Sequence, residues 1–245
     1  MMLLDFFEIR IIIRNKVGIF SRTSFSLLLT LLLSTFLNVA SASSPPVLNF
    51  SDLVNGPSSG INDGLGEGVI VTLWGNNLGS QQGDSKIFYE DSSKTVNEAA
   101  YVYYWKNADG QLPGGPANLY DSHKMQEIAF SIPSSANGDG NIYVEVNGVK
   151  STTLPFSVRP GAIYHVKTTG DNSTGNGSWD QPWKTGSQDT GGAFKQISGG
   201  EIIYAHHGVT DSNMADNGRG LYLSGRPSVA AAQTAYLSYP NSPVD

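Results

Sequence analysis

Val69-Ile70-Val71-Thr72-Leu73-Trp74, followed by Gly75-Asn76-Asn77, is a run of β-branched and aromatic residues ending in turn-formers. That combination predicts a strand closed by a turn. The same grammar recurs on both sides of it. Lys86-Ile87-Phe88-Tyr89 and residues 100–105 are further short runs, and residues 127–132 alternate, with Ile128, Phe130 and Ile132 on one side before Pro133. Residues 141–146 lead into Asn147-Gly148, a favoured hairpin dipeptide, and residues 154–158 close the series. Each strand has an apolar face to bury, so about seven of them over ~110 residues predict two antiparallel sheets packed face to face. The first segment, residues 46–159, is expected to be a β-sandwich.

Composition agrees with this. With 28 Gly, 12 Pro and only 15% charged residues, the chain lacks the Ala/Glu/Lys/Leu mixture of helix bundles. Hydrophobic residues make up 39%, enough for a packed core, so wholesale disorder is excluded. Cysteine is absent, which removes disulfide staples, thiolate zinc sites and cysteine nucleophiles. The formal charge of −6 shows no basic patch of the kind that binds nucleic acid, and no nucleic-acid partner is expected.

Residues 1–42 have the order of a secretory signal peptide. Arg10, Arg14, Lys16 and Arg22 precede the apolar run Phe25-Ser-Leu-Leu-Leu-Thr-Leu-Leu-Leu-Ser-Thr-Phe-Leu37, and Ala40-Ser41-Ala42 supplies a small-x-small cleavage site. The run is shorter than the ~20 residues a spanning helix needs. Residues 43–45 are a linker. The mature chain is therefore expected to be secreted, with no membrane partner after cleavage, and monomeric.

Glu67-Gly-Val-Ile-Val-Thr-Leu-Trp-Gly-Asn-Asn-Leu-Gly79 resembles the G-x-x-V-T-I-x-G-x-N-F-G opening of the TIG (IPT) immunoglobulin-like family. Ile132-Pro133, the stretch from Gly140 to Val146, Asn147-Gly148 and Phe156-Ser157-Val158 resemble its later strands in the same order. The departure is a Gly- and Pro-rich insertion over residues 107–124. The resemblance implies an immunoglobulin-like spacer, interaction or accessory domain without a catalytic set of its own.

Arg159-Pro160-Gly161 breaks the strand pattern, and a second segment, residues 160–245, follows. Strands are expected at residues 162–166, 201–205, 221–223 and 234–239, with a short helix packing Ala193, Phe194 and Ile197. The run Glu201-Ile-Ile-Tyr-Ala205 is apolar enough for a parallel sheet buried on both faces. Tyr164-His-Val166, Gly170-Asp171, Pro182-Trp-Lys-Thr185, Gly200-Glu-Ile-Ile-Tyr204, Gly208-Val-Thr210 and Tyr239-Pro240 resemble the first coil of secreted right-handed parallel β-helix proteins, the pectate-lyase-like superfamily. Glu201 stands where that pattern has Asp, and Val209 where it has an aromatic residue. The fold class expected is thus all-β: a TIG-like sandwich followed by the cap and first coils of a parallel β-helix. Solenoids normally need ~3 or more repeats with caps, so the sequence is expected to be the amino-terminal part of a longer protein.

What the β-helix resemblance implies is polysaccharide chemistry, lyase or hydrolase, with the catalytic groups and any Ca²⁺ on later coils. No catalytic residue, metal site or cofactor is assigned to this chain, which alone is expected to be inactive. The candidate carbohydrate-binding residues are Tyr101, Tyr103 and Trp105, predicted to alternate onto one strand face while Val102 and Tyr104 take the other. An aromatic row of that kind stacks on the C–H faces of sugars, and it equally fills a sheet core. Glu90-Asp91, Asp109 and Asp121 offer hard oxygens without ligand spacing. Asp171-Asn-Ser-Thr-Gly-Asn-Gly177 lacks the closing Glu of a calcium loop and reads as a turn. His206-His207 follow a strand end, where adjacent residues point to opposite faces. Three functions are open: the accessory and opening region of a secreted polysaccharide-degrading protein, a non-catalytic extracellular carbohydrate-binding or adhesion module, and a structural surface protein whose sandwich is only a spacer.

Overall fold

The computed structural model describes residues 44–109, 119–210 and 233–240. The expected signal peptide, the expected strand at 221–223 and the core of the insertion lie outside the described residues. Thirteen strands and two short helices follow in chain order. They are β1 (Val47–Ser51), β2 (Asn55–Gly56), β3 (Ile70–Asn76), β4 (Lys86–Asp91), β5 (Val96–Glu98), β6 (Tyr101–Asn107), α1 (Leu119–His123), β7 (Met125–Ser131), β8 (Gly138–Val146), β9 (Val149–Lys150), β10 (Leu154–Val158), β11 (Ile163–Val166), α2 (Ala193–Gln196), β12 (Ile202–Ala205) and β13 (Ala235–Ser238). The described chain is all-β, as its composition requires.

An antiparallel sheet runs β1-β3-β7-β6, and a second runs β2-β10-β8-β4-β5 with β9 hairpinned onto β8. Asn147 and Gly148 adopt φ of 50° and 77°, the left-handed pair that a two-residue hairpin turn demands. Gly75 does not begin a turn, as its sequence context predicts, but lies inside β3. A Cβ there would sit 2.2 Å from the Val47 carbonyl oxygen, so only glycine lets β1 approach. The left-handed turn falls instead at Asn77, with φ of 59°.

A third sheet is wholly parallel, in the order β11-β12-β13. Ile163, Ile202 and Ala235 are in register, as are Tyr164, Ile203 and Tyr236, and His165, Tyr204 and Leu237. Period-two alternation sends these rows to opposite faces. Ile163, Ile202, Tyr204 and, partly buried, Ala235 and Leu237 join one apolar cluster with Leu73, Ile128 and Phe130 of the first sheet and Ile87, Ile142 and Phe156 of the second. Ile203, with Tyr164 and Tyr236 packed beside it, faces a separate cluster of Val166, Trp183, Ala193, Phe194 and Ile197. The short helix α2 covers that far side, as the spacing of Ala193, Phe194 and Ile197 predicts. Residues Ser44–Asp245 accordingly form one compact unit.

Polar groups at the join between the parallel sheet and the antiparallel strands are matched individually. Ile70 extends beyond the last β1 pairing, at Leu73, so its backbone lacks a ladder partner on that side. The Tyr204 hydroxyl substitutes for the missing strand, accepting from the Ile70 N–H at 2.8 Å and donating to the Ile70 carbonyl at 2.9 Å. Arg159 donates to Asn55 Oδ1 at 2.6 Å, to the Gly200 carbonyl at 2.7 Å and to the Gln233 carbonyl at 3.1 Å. One guanidinium therefore ties β2 to the segments that launch β12 and β13.

Ile70 is only 2% exposed, so Tyr204→Phe would strand a backbone donor and acceptor out of reach of water. An unpaired buried group costs about 1–3 kcal/mol, and the substitution is expected to destabilise by about 2–4 kcal/mol. That corresponds to a melting temperature lowered by roughly 5–15 °C. Thermal unfolding followed by circular dichroism checks this, and an unchanged midpoint contradicts it.

Candidate functional site

The polar and aromatic residues concentrate where the Asp63 loop meets the ends of β11, β12 and β13. Asp63 anchors the group. Its Oδ1 accepts from the Leu65 N–H at 2.8 Å and the Gly66 N–H at 2.9 Å, while Oδ2 accepts from the Tyr239 hydroxyl at 2.8 Å and from the Tyr103 hydroxyl. Burial works to raise the Asp63 pKa, but the hydrogen bonds from Tyr103, Leu65, Tyr239 and Gly66 outweigh it and hold the carboxyl below its ordinary value. Burial and the Asp63 carboxylate together push the Tyr103 and Tyr239 hydroxyls well above the usual tyrosine range.

His165 and His206 form the second part. His165 is fully buried, and its Nε2 lies 2.9 Å from the Ile61 carbonyl oxygen, which can only accept. Nε2 of a neutral His165 therefore carries the proton, leaving Nδ1 to accept from His206 Nε2 at 3.1 Å. Burial drives His165 down to about 4, and burial with the neighbouring His165 and Lys167 drives His206 down to about 3. Tyr239 stacks on His206 at 4.3 Å, and Trp179 meets both histidines edge-on. Lys167 Nζ lies 3.3 Å from the Trp179 ring centroid and donates to the Trp179 carbonyl at 2.8 Å. These partners come from residues 61–66, 103, 165–179, 204–206 and 239, and the arrangement welds distant segments together.

Tyr101, Tyr103 and Trp105 do not stand as an exposed row. The β6–β7 register slips between Val102 and Tyr104, so Tyr103 is an extra residue and strict alternation is interrupted. Tyr103 and Trp105 are 7% and 8% exposed. Trp105 spends its indole N–H on the Leu78 and Gly79 carbonyls, at 3.2 and 3.0 Å. The half-buried Tyr101 meets Tyr103 edge-to-face at 5.0 Å and lines a cleft of about 290 Å³ with Gln82, Lys86 and Glu98.

Among the described residues no group of three or more His, Asp or Glu side chains is arranged to hold a metal ion. His206 enters the junction, whereas His207 is exposed. Glu90 is engaged by Lys94 at 2.8 Å and Lys150 at 3.1 Å, and Asp109 by Lys106 at 2.7 Å. Asp171 closes a turn by accepting from the Ser173 and Thr174 N–H groups at 2.7 and 2.9 Å. Asp63, His165, Trp179 and Tyr239 were not marked as site residues by the sequence, where His165 and Tyr239 enter only as parts of strand motifs, because no local spacing marks residues that meet only through the tertiary fold.

No family model and no curated protein sequence matches the chain. Among solved structures, a structural genomics protein of unknown function from Bacteroides thetaiotaomicron aligns with a TM-score of 0.31 at 16% identity, covering 49% of this chain and 23% of that one.

The junction sets a pH dependence. Histidines are neutral in the fold but take up protons near pH 6.5 when unfolded, so their contribution is complete above that value. It is lost as the pH falls from about 6.5 towards the folded-state value of about 4 for His165. The depressed Asp63 carboxyl acts in the same direction at lower pH. Chemical-denaturation midpoints are expected to fall between pH 7 and pH 4, and to fall less in His165→Gln. A profile that is flat over this range contradicts the assignment.

Proposed function

We propose that this chain is the amino-terminal accessory region of a secreted, polysaccharide-directed protein. In it a TIG-like sandwich caps the first coils of a right-handed parallel β-helix. The observation that carries the reading is the three-stranded parallel sheet. Its strands begin at residues 163, 202 and 235, steps of 39 and 33 residues, within the ~20–45 residues of a solenoid repeat. The rungs stay in register, which is how a coil covers the open face of its neighbour. Among the described residues β13 pairs only with β12, and its other edge is where a following coil would stack. The parallel bridge between Val166 and Trp183 fits a cap folded back over the first rung.

The catalytic work of such a protein would lie on later coils, as either proton abstraction beside a uronate carboxylate or acid-assisted hydrolysis. The junction residues of this chain are committed to one another, which supports a structural role for them. A second reading, a non-catalytic carbohydrate-binding or adhesion module, draws on solvent-facing aromatic side chains on the sandwich.

Two measurements test the proposal. Sequencing the gene beyond the codon for Asp245 is expected to reveal further strand-and-turn units carrying a Lys, Arg or Asp cluster; a following domain of another kind overturns it. The chain alone, incubated with alginate, pectate and chondroitin, is expected to give no ultraviolet absorbance from unsaturated product. Measurable turnover would place chemistry in this region and contradict the accessory role.

A further inference from the structure

The outer face of the β1-β3-β7-β6 sheet carries an aromatic pair that the core does not consume. Phe50 on β1 lies opposite Trp74 on β3, and their rings stack at 5.1 Å with planes 18° apart. Phe50 is 43% exposed although β1 is an edge strand of a well-packed sheet, and Trp74 is half-buried. The row continues from Trp74 to Glu127 on β7 and Lys106 on β6, and the adjacent row holds Thr72, Ala129 and Tyr104. Amides border the rings on the other side, where Asn49 Nδ2 donates to Asn76 Oδ1 at 2.7 Å.

We propose that this face binds a neutral polysaccharide, with the outer ring face of Phe50, backed by the stacked Trp74, lying against the C–H face of a pyranose ring. The proposal rests on the carbohydrate-binding reading above, and it names the site and the class of sugar.

Two features select that occupant. The first is area. Phe50, Val54, Leu65, Val96 and Val149 are the large hydrophobics exposed among the described residues, and of these only Phe50 is joined to a second ring. Two partly covered rings offer on the order of 200 Å², far below the ~800 Å² per partner of a stable protein interface. That apolar area is small for the core of a stable protein interface, whereas the open face of Phe50 matches the footprint of one sugar ring. The second feature is charge. Lys106, the cation in the row of Trp74 and Glu127, is paired with Asp109 at 2.7 Å, and Glu127 accepts the Tyr104 hydroxyl at 2.5 Å. Asp52, whose carboxyl accepts from the Thr72 N–H at 2.8 Å and is pushed up to about 6 by burial, adds negative charge at neutral pH, and the chain as a whole carries −6. Uronate polymers would meet repulsion from these carboxylates, because the cation described in the ring row is already paired, while the hydroxyls of a neutral glycan meet amides and carboxylates that can hydrogen-bond them.

Affinity electrophoresis of the whole chain in native gels tests this, with β-glucan, mannan and xylan as neutral probes and alginate and pectate as acidic ones. Retardation is expected on at least one neutral polymer and on neither acidic one. Phe50→Ala is expected to abolish the apparent association, and Trp74→Ala, which removes the ring that backs Phe50, to weaken it about tenfold. Val149→Ala, on the other sheet, should leave it unchanged. Phe50 sits on an edge strand, so its variant keeps the test decisive if Trp74→Ala melts below the working temperature. Retardation on a neutral polymer that Phe50→Ala does not alter overturns this site and leaves the carbohydrate-binding reading standing. Retardation on the acidic polymers alone overturns the charge argument and with it the proposal. Absence of retardation on every polymer overturns both the site and that reading.

Discussion

A parallel strand must be covered on both faces, because neither its apolar side chains nor its crossover connections leave a face for water. Strand β12 meets this constraint with two different cores. Ile202 and Tyr204 are buried against residues of the antiparallel sheets, and Ile203 is buried against the cluster beneath α2. Almost every other feature of the junction follows from that double burial. Residues that close one layer to the other cannot carry unpaired polar groups, so Tyr204 supplies both a donor and an acceptor to the buried backbone of Ile70, which has no strand partner on that side of β3.

The polar junction is costly to assemble and specific once assembled. Burying His165, the Asp63 carboxylate and the Arg159 guanidinium is favourable only with their partners in place, and each partner comes from a different segment. A hydrophobic join of the same area would tolerate sliding of one layer over the other. This one does not, since displacement by a single residue would separate Tyr204 from Ile70 and Arg159 from Gly200 at once. The arrangement suits the cap proposed above, which would fix the first rung of a stack.

Much of the fold was legible in the sequence because periodicity and turn chemistry are local. The hydrophobic runs locate β3, β4, β6, β7, β8 and β10 within a few residues, and Asn147-Gly148 marks its hairpin. The apolar stretch before Ala205 marks a strand buried on both sides. What escaped was non-local. Gly75 sits inside a strand because Val47 approaches it, a contact invisible in its own neighbourhood. Which face of β6 turns inward is set by packing against other elements, and that face buries Tyr103 and Trp105 in the core. The junction site unites residues from Asp63 to Tyr239, and no spacing rule joins them. Trp74 was within reach: alternation along β3 puts it with Thr72 and Asn76, opposite the buried Val71 and Leu73.

The central claim is that the parallel sheet and the antiparallel sheets fold as one body through a shared core. Differential scanning calorimetry of residues 44–245 tests it most directly. A single transition is expected, with calorimetric and van't Hoff enthalpies equal. Two resolved transitions, or a calorimetric enthalpy well above the van't Hoff value, would mean that the layers melt independently and would contradict the account.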